Sequence, residues 1–122
     1  MNRSTSGRRP ERVADVIKEE IASMLVYGEI NDPRIGFVTI THVKMTPDLR
    51  EAKVYFSRIG TDSEKAESLE GLGHAGPFIR RNLAKRLNMR HIPELSFIYD
   101  GSLDYYERID KVIKDIKKGE GD

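Results

Sequence analysis

The sequence contains no cysteine among its 122 residues. Disulfide bonds, thiol catalysis and cysteine-bound zinc or iron–sulfur centres are therefore excluded. No apolar run approaches the roughly 20 residues that a helix needs to cross a bilayer. The first seven residues, Met1 to Gly7, also lack the apolar core of a secretory signal. These absences favour a protein of the reducing cytoplasm that makes no contact with membranes.

The charges nearly cancel, with a formal net charge of +1, but they are unevenly distributed. Near the N-terminus, one acid, Glu11, stands among four arginines: Arg3, Arg8, Arg9 and Arg12. The segment from Gly71 to Pro93 has no acid and contains Arg80, Arg81, Lys85, Arg86 and Arg90. Charge sorted in this way can give a near-neutral protein one strongly positive face.

The spacing of apolar residues predicts the order α-β-β-α-α-β-α. Helical spacing runs from Pro10 to a stop at Gly28, over 63–72 and 78–89, and from Ser102 onward. In this last helix we expect five residues to face inward: Leu103, Tyr106, Ile109, Ile113 and Ile116. Strand-like alternation covers 37–45, 51–57 and 95–99, and the first two strands predict an antiparallel hairpin. We expect one α+β domain over 10–118 with a three-stranded sheet covered by helices on one face. Residues 1–9 are predicted to be a disordered basic segment and 119–122 a polar tail.

The glycine-rich stretch between the two middle helices permits several interpretations. Gly71 to Gly76 matches G-x-G-x-x-G, but a helix and not a strand precedes it, which argues against a pyrophosphate site. Gly73 to Gly76 is also G-x-x-G between helices, the loop by which KH domains approach single-stranded RNA. With Pro77, these glycines predict a break in the chain. The basic helix after that break could offer its first N–H groups to phosphate, or it could be an ordinary solvated face.

Residue types that support catalysis or metal binding do not occur in recognisable patterns. The three histidines, His42, His74 and His91, have no second ligand at zinc spacing. No serine lies in a nucleophile elbow, and no acids form a recognisable catalytic pair. We therefore predict no catalytic residue, no metal and no cofactor.

Several motifs together resemble the bacterial ribosome-binding factor A family. They are Arg12-Val13 and the ranges 31–36, 38–43, 46–55, 78–81 and 93–102, and the resemblance extends from Arg9 to about Ile116. It implies a KH-like fold of type II, with the extra helix and strand at the N-terminus. It also implies a monomer that binds free 30S ribosomal subunits and assists late assembly and 16S rRNA processing. The implied contact is the 5′-terminal helix region of 16S rRNA, and the implied setting includes growth in the cold.

The resemblance further implies a kink of pattern Ala-Xaa-Gly in place of the usual KH loop. The matching residues are Ala75, Gly76 and Pro77, and the proline leads us to expect two helices more than one bent helix. The candidate RNA-binding residues at the kink are Gly73, His74, Ala75, Gly76 and Pro77. Those of the basic helix and N-terminal arm are Arg80, Arg81, Lys85, Arg86, Arg90, Arg8, Arg9 and Arg12. No small-molecule substrate is expected.

Two other classes of function remain open from the sequence. The basic face could bind acidic ribosomal or assembly proteins without touching RNA. The chain could also be an rRNA-processing enzyme, although the lack of a metal-ligand cluster makes a nuclease the least favoured interpretation. Binding to naked 16S rRNA fragments would distinguish an RNA-binding protein from a module that binds only proteins. Cleavage of precursor rRNA would reveal a processing enzyme.

Overall fold

A computed structural model describes residues 9–120, and for residues 103, 105–107 and 118–120 it describes the backbone alone. The elements in chain order are α1 (Arg9–Val26), β1 (Thr39–Met45), β2 (Glu51–Ser57), α2 (Asp62–Arg86), β3 (Glu94–Tyr99) and α3 (Ser102–Glu120). The predicted α+β class and the KH-like type II arrangement are confirmed. Arg8 and most of the predicted N-terminal segment lie outside the described residues. Helix α1 begins one residue before the predicted domain boundary.

The sheet has the strand order β1-β2-β3. Strand β1 pairs antiparallel with β2, which confirms the predicted hairpin, and β2 pairs parallel with β3. A bulge interrupts the first pairing between Ile40 and His42. Side chains alternate across the sheet, so Ala52, Val54 and Phe56 of β2 are fully buried against the helices, while Lys53 and Tyr55 between them face away.

The core lies between one face of the sheet and helices α1 and α2. Completely buried side chains come from both helices at helical spacing: Ile17, Ile21, Met24, Leu72, Ile79 and Leu83. Burying one such side chain stabilises the fold by about 1.5–3 kcal/mol. The predicted cover of the sheet on one face is thus confirmed.

Helix α1 ends at Val26, two residues before the glycine that the sequence indicated as its stop. Gly28 has a φ of +68°, which glycine adopts without strain. The N–H of Gly28 donates to the carbonyl of Leu25 at 3.3 Å, and the N–H of Glu29 donates to Met24 at 2.9 Å. This pair of bonds is the Schellman motif, which satisfies carbonyls at a helix end.

The predicted break between the two middle helices is wrong, because α2 is one continuous helix of 25 residues with Pro77 inside it. Proline normally disfavours a helical residue before it, because its ring meets the preceding Cβ. Here the preceding residue is Gly76, which has no Cβ. Buried residues on both sides of the proline, Leu72 and Ile79, also hold the two halves of the helix against the same core.

The predicted inward orientation of the last helix is also wrong for its three isoleucines, whereas the side chains of Leu103 and Tyr106 lie outside the described ones. Ile109, Ile113 and Ile116 of α3 are 43%, 46% and 55% exposed. Near its start, α3 is held to the body by Asp104, whose carboxylate accepts from Lys65 at 3.0 Å and from the Tyr99 hydroxyl at 2.7 Å. The amphipathic spacing of the isoleucines predicted the helix correctly but not what surrounds it. Among the described residues, none of the helices is long and apolar enough to cross a membrane.

Candidate nucleic-acid interface

The five residues predicted to form a kink are part of α2 and do not form a loop. Gly73, His74 and Pro77 are exposed, whereas Ala75 and Gly76 are buried. Inside a helix the N–H groups bond to carbonyls of the preceding turn, so this stretch cannot offer a row of N–H groups to phosphate. The G-x-x-G loop, one of the interpretations left open by the sequence, is therefore not present, and only the outer face at Gly73, His74 and Pro77 remains available.

The N-terminus of α2 lies far back in the sequence, at Asp62. Thr61 caps it in a capping box: its hydroxyl accepts from the N–H of Glu64 at 3.1 Å, and the Glu64 carboxylate accepts from the N–H of Thr61 at 2.8 Å. The positive end of the helix dipole is thus beside carboxylates and not beside the basic residues. A helix start near Pro77, one of the possible phosphate contacts that the sequence left open, is consequently absent.

Arg80 is engaged in holding the chain together. Its Nε donates to the carbonyl of Pro93 at 3.0 Å and its Nη2 to the carbonyl of Ile92 at 3.0 Å. The same guanidinium is 3.3 Å from the carboxylate of Glu94. Arg80 therefore fastens α2 to the segment that enters β3, and the expectation of an unpaired cation is wrong for this residue.

Arg86 is paired as well. Its guanidinium bonds to the carboxylates of Glu29 and of Glu20, the latter at 3.3 Å. The hydrogen bonds with Glu29, and to a lesser degree Glu20, raise the pKa of Arg86. Its position in the last turn of α2 also suits the negative end of the helix dipole. Both acids come from distant parts of the chain, which is why the acid-free segment 71–93 gave no sign of them.

The remaining cations of this segment have the character that the sequence predicted. Arg81, Lys85 and Arg90 are exposed, and none of them forms an ion pair with the described residues. Arg81 and Lys85 are four residues apart in a helix and so lie on one face. Their side chains are free to meet an anion without first breaking a salt bridge.

The start of α1 lies beside the end of α2. Arg9 and Arg12 are exposed and line a groove of about 350 Å³ with Arg86, Asn88 and Met89. The fold thus brings two arginines of the predicted N-terminal arm next to the basic end of α2. We call six exposed cations the basic end: Arg9 and Arg12 at this groove, Arg50 and Arg90 at the cleft described next, and Arg81 and Lys85 on the exposed face of the C-terminal half of α2.

Arg50 is a cation that the charge runs did not reveal. It lies with Arg9, Arg90 and His91 along a cleft of about 800 Å³ between the β1–β2 loop and the segment after α2. The side chain of Arg50 is 85% exposed, and its contact with the Asp48 carboxylate is long, at 3.9 Å. Its inclusion in the family-like motif 46–55 was the only sign available in the sequence.

The loop that carries Arg50 has a defined shape. The Asp48 carboxylate accepts from the Thr46 hydroxyl at 2.7 Å and from the N–H of Arg50 at 3.1 Å. These bonds, with the Thr46 bond the largest cause, lower the pKa of Asp48, so this acid is charged at neutral pH. Leu49 between them has a φ of +62°, a conformation that a non-glycine residue adopts only where its surroundings enforce it. The loop therefore holds the backbone of Arg50 in a fixed place.

The outer face near Pro77 is of mixed charge. A cavity of about 360 Å³ is lined by His74, Pro77 and Arg81, but also by Asp32. A side-chain hydrogen bond from Arg34 is the largest cause that lowers the pKa of Asp32, from 3.8 to about 2. Asp32 is therefore a carboxylate at neutral pH, and it offsets part of the positive charge that Arg81 places near the predicted kink.

The family-like motif 31–36 fixes a loop onto α2. Arg34 bonds to the Asp32 carboxylate at 2.7 Å and to Glu70 of α2 at 2.8 Å. Ile35 is buried, and its carbonyl accepts from the hydroxyl of the fully buried Ser68 at 2.6 Å. This motif thus has a structural role within the described contacts.

A metal centre finds no support in the side chains that the structure describes. Among these residues, no three histidine, aspartate or glutamate side chains are close enough together to hold a metal ion. His42, His74 and His91 are all exposed and lie on different elements. The arrangement at the basic end can attract and hold phosphate groups.

Comparisons with known proteins agree with the sequence motifs. A profile of the ribosome-binding factor A family matches residues 9–113. A ribosome-binding factor A from Geotalea uraniireducens is 48% identical over 93% of this chain and 92% of its own length. A factor of the same name from Geobacter metallireducens is 45% identical over 93% of this chain and 96% of its own.

Solved structures show the same fold. The solution structure of a Thermotoga maritima protein, described as a candidate ribosome binding factor A, is 34% identical, with a TM-score of 0.65 over 74% of this chain and 85% of that one. A homology model of the Thermus thermophilus factor, which was fitted into a cryo-EM map of its complex with the 30S subunit, is 24% identical. Its TM-score is 0.60 over 72% of this chain and 91% of that one.

Proposed function

The chain belongs to the ribosome-binding factor A family, and on that premise we propose that it binds free 30S subunits as a monomer and assists their late assembly. The proposal includes assistance with 16S rRNA processing through contact with the 5′-terminal helix region. Relatives that carry the name of a ribosome-binding factor, and the fitted 30S complex of the Thermus thermophilus protein, support it.

The observation that carries the proposal is the basic end. Arg9, Arg12, Arg50 and Arg90 line two clefts where the start of α1, the β1–β2 loop and the end of α2 meet, and one of these clefts also contains Asp48 and Glu94. Arg81 and Lys85 add exposed charge on the C-terminal half of α2. Ribosomal RNA presents a continuous row of phosphates, and unpaired arginines and lysines bind such a polymer by displacing its counterions. The arginines can also make bidentate bonds to phosphate oxygens.

We propose that the protein acts by contact alone, in the cytoplasm, and catalyses no reaction. Phosphate contacts fix the position of a protein on RNA without reading its sequence. The bound protein would favour one conformation of the rRNA and so hinder premature subunit joining until that conformation is reached.

Charge reversal at the basic end tests the proposal. Arg81→Glu/Lys85→Glu should weaken binding to purified free 30S subunits roughly 10- to 100-fold, because two charge-assisted contacts are replaced by repulsion. Cosedimentation with the subunits at several salt concentrations measures the loss.

The matched control is Lys111→Glu/Lys117→Glu, which makes the same change of net charge on α3, away from the basic end. It should bind within about threefold of the parent protein, a margin of roughly 0.7 kcal/mol. Unchanged 30S binding by Arg81→Glu/Lys85→Glu would remove the basic end from the interface. Binding that instead depends on ribosomal proteins and fails with naked 16S rRNA fragments would favour a protein-interaction module.

A further inference from the structure

The face of the sheet opposite the helices carries exposed side chains that the basic end does not include. Alternation along the three strands directs them away from the core. We call this set the open sheet face: His42, Lys44, Lys53, Tyr55, Ser96 and Ile98. It lies on elements outside the basic helix and is a separate surface.

Two aromatic side chains stand next to each other on this face. His42 of β1 is paired in register with Tyr55 of β2, and their ring centroids are 5.9 Å apart at an angle of 37°. On its other side Tyr55 is paired with Ile98 of β3. His42 is exposed, and Tyr55 and Ile98 are partly exposed. An accessible aromatic ring on a sheet is the platform on which single-stranded nucleic acids stack their bases.

Two lysines lie one register step further along the same face. Lys44 of β1 is directly opposite Lys53 of β2, an arrangement of like charges that destabilises a sheet. Both lysines are exposed, and among the described residues neither forms an ion pair. Their charges are therefore available to an anion that approaches from solvent.

Acids limit the extent of this positive surface. Glu51 and Glu94 form the next pair in register beyond Lys53 and Ser96, and the Glu94 carboxylate lies 3.3 Å from Arg80. At the edge of β1, Glu11 and Asp15 of α1 line a groove with His42 and Lys44. The positive, aromatic area is therefore small and centred on Lys53 and Tyr55.

The composition of the open sheet face favours RNA over protein as its partner. Lysine is depleted at protein–protein interfaces, where desolvating an ammonium is costly. Aromatic rings beside lysines on a sheet suit a single strand, which offers bases to the rings and phosphates to the ammonium groups. We propose that the open sheet face is a second RNA-binding surface, where a single-stranded rRNA segment stacks a base on Tyr55 and sets its phosphates against Lys44 and Lys53. Only the identity of the RNA as rRNA rests on the proposed function.

The ring can be tested separately from the charges. The full chain is titrated into a fluorescently labelled single-stranded oligoribonucleotide of about 10 nucleotides, and anisotropy is followed at several salt concentrations. Tyr55→Leu should weaken binding at least roughly fivefold with the salt dependence unchanged, because stacking is lost and no phosphate contact is. Tyr55→Phe keeps the ring and should bind within about twofold of the parent, which is roughly 0.4 kcal/mol.

The contribution of the two lysines is measured by the salt dependence of the affinity. Lys44→Gln/Lys53→Gln should lower the slope of log affinity against log salt by about 1.4, because two single-strand phosphate contacts disappear. Lys18→Gln/Lys111→Gln makes the same change of net charge on α1 and α3 and should leave the slope as it is in the parent. These lysine variants test the surface even where Tyr55→Leu fails to fold, as judged by circular dichroism.

Three results would overturn the inference. They are no measurable binding of the oligoribonucleotide by the parent protein, parent-like binding by both Tyr55→Leu and Lys44→Gln/Lys53→Gln, or equal losses in Tyr55→Phe and Tyr55→Leu. The proposed function has its own test, because Arg81→Glu/Lys85→Glu should weaken 30S binding and alters no residue of the open sheet face. Failure of one is thus distinguishable from failure of the other.

Discussion

The cations of α2 differ in what they contact. Those that bond to their own chain have a structural role, and those that do not are candidates for binding RNA. Arg80 and Arg86 bond to carbonyls or carboxylates of their own chain, whereas Arg81 and Lys85 contact no carboxylate among the described residues. A sequence shows that all four are basic. Only the folded chain shows which acids return to meet them, because Glu20, Glu29 and Glu94 come from other elements.

Substitution of Arg80 should therefore act on stability. Arg80→Ala leaves the carbonyls of Ile92 and Pro93 without their donors, and a partly buried polar group left in this way costs about 1–3 kcal/mol. The free energy of unfolding in urea measures the loss. The folded variant should bind 30S subunits nearly as the parent does; a large loss of affinity with unchanged stability would contradict the structural role.

Asp32 should make the fold sensitive to acid. Its pKa is lowered from 3.8 to about 2, so the folded state favours the carboxylate. The resulting stabilisation is fully present above pH 3.8 and is lost as the pH falls toward 2. Asp32→Asn should be less stable than the parent at neutral pH, and the difference should shrink across this window.

Thermal unfolding between pH 5 and 2 measures that difference. The control Glu67→Gln removes an exposed acid of α2 that forms no ion pair with the described residues, and it should follow the parent curve. An Asp32→Asn curve that stays parallel to the parent down to pH 2 would show that the Arg34 contact does not stabilise the fold.

At the scale of elements, the sequence predicted what periodicity can reveal. The three strands, the hairpin, the amphipathic first helix and its stop at Gly28 all follow from spacing and from glycine chemistry. The unbroken α2 did not follow, because three glycines and a proline in seven residues are typical of a break. The helix continues because the residue before Pro77 is Gly76, which has no Cβ, and because the core holds both halves of the helix.

Two glycines of α2 should respond oppositely to alanine. A Cβ at Gly71 would be 2.8 Å from Cγ1 of Ile35 and 3.2 Å from its backbone nitrogen, whereas a Cβ at Gly73 meets nothing within 4 Å. Gly71→Ala should cost about 1–3 kcal/mol through overpacking. Gly73→Ala should stabilise the protein by about 0.5–1 kcal/mol, because alanine favours the helix.

Urea unfolding of the two variants side by side measures both effects. Each variant serves as the control of the other, because the substitution and the helix are the same. A stabilising Gly71→Ala would show that Ile35 does not pack closely against α2 at Gly71. A destabilising Gly73→Ala would indicate that the helix is interrupted near Pro77 in solution.

At the scale of the whole molecule, folding brings together cations that are far apart in the sequence. The charge runs predicted Arg9, Arg12, Arg81, Lys85 and Arg90, which are exposed. They did not predict Arg50, which a loop between two strands brings to the same cleft as Arg9 and Arg90. The residues of the predicted kink contribute less than expected, because two are buried and Asp32 is near the others. Long-range placement of this kind depends on tertiary contacts, which spacing along a chain cannot reveal.

The central claim, that the basic end meets rRNA, is tested most directly by crosslinking on the subunit. One variant carries a photoreactive amino acid at position 85, and a control variant carries it at position 111 of α3. Each variant is bound to free 30S subunits and illuminated, and the crosslinked adducts are sequenced. We predict 16S rRNA adducts, clustered in one region, from position 85 and few or none from position 111. Adducts from position 85 that contain only ribosomal protein would contradict the account.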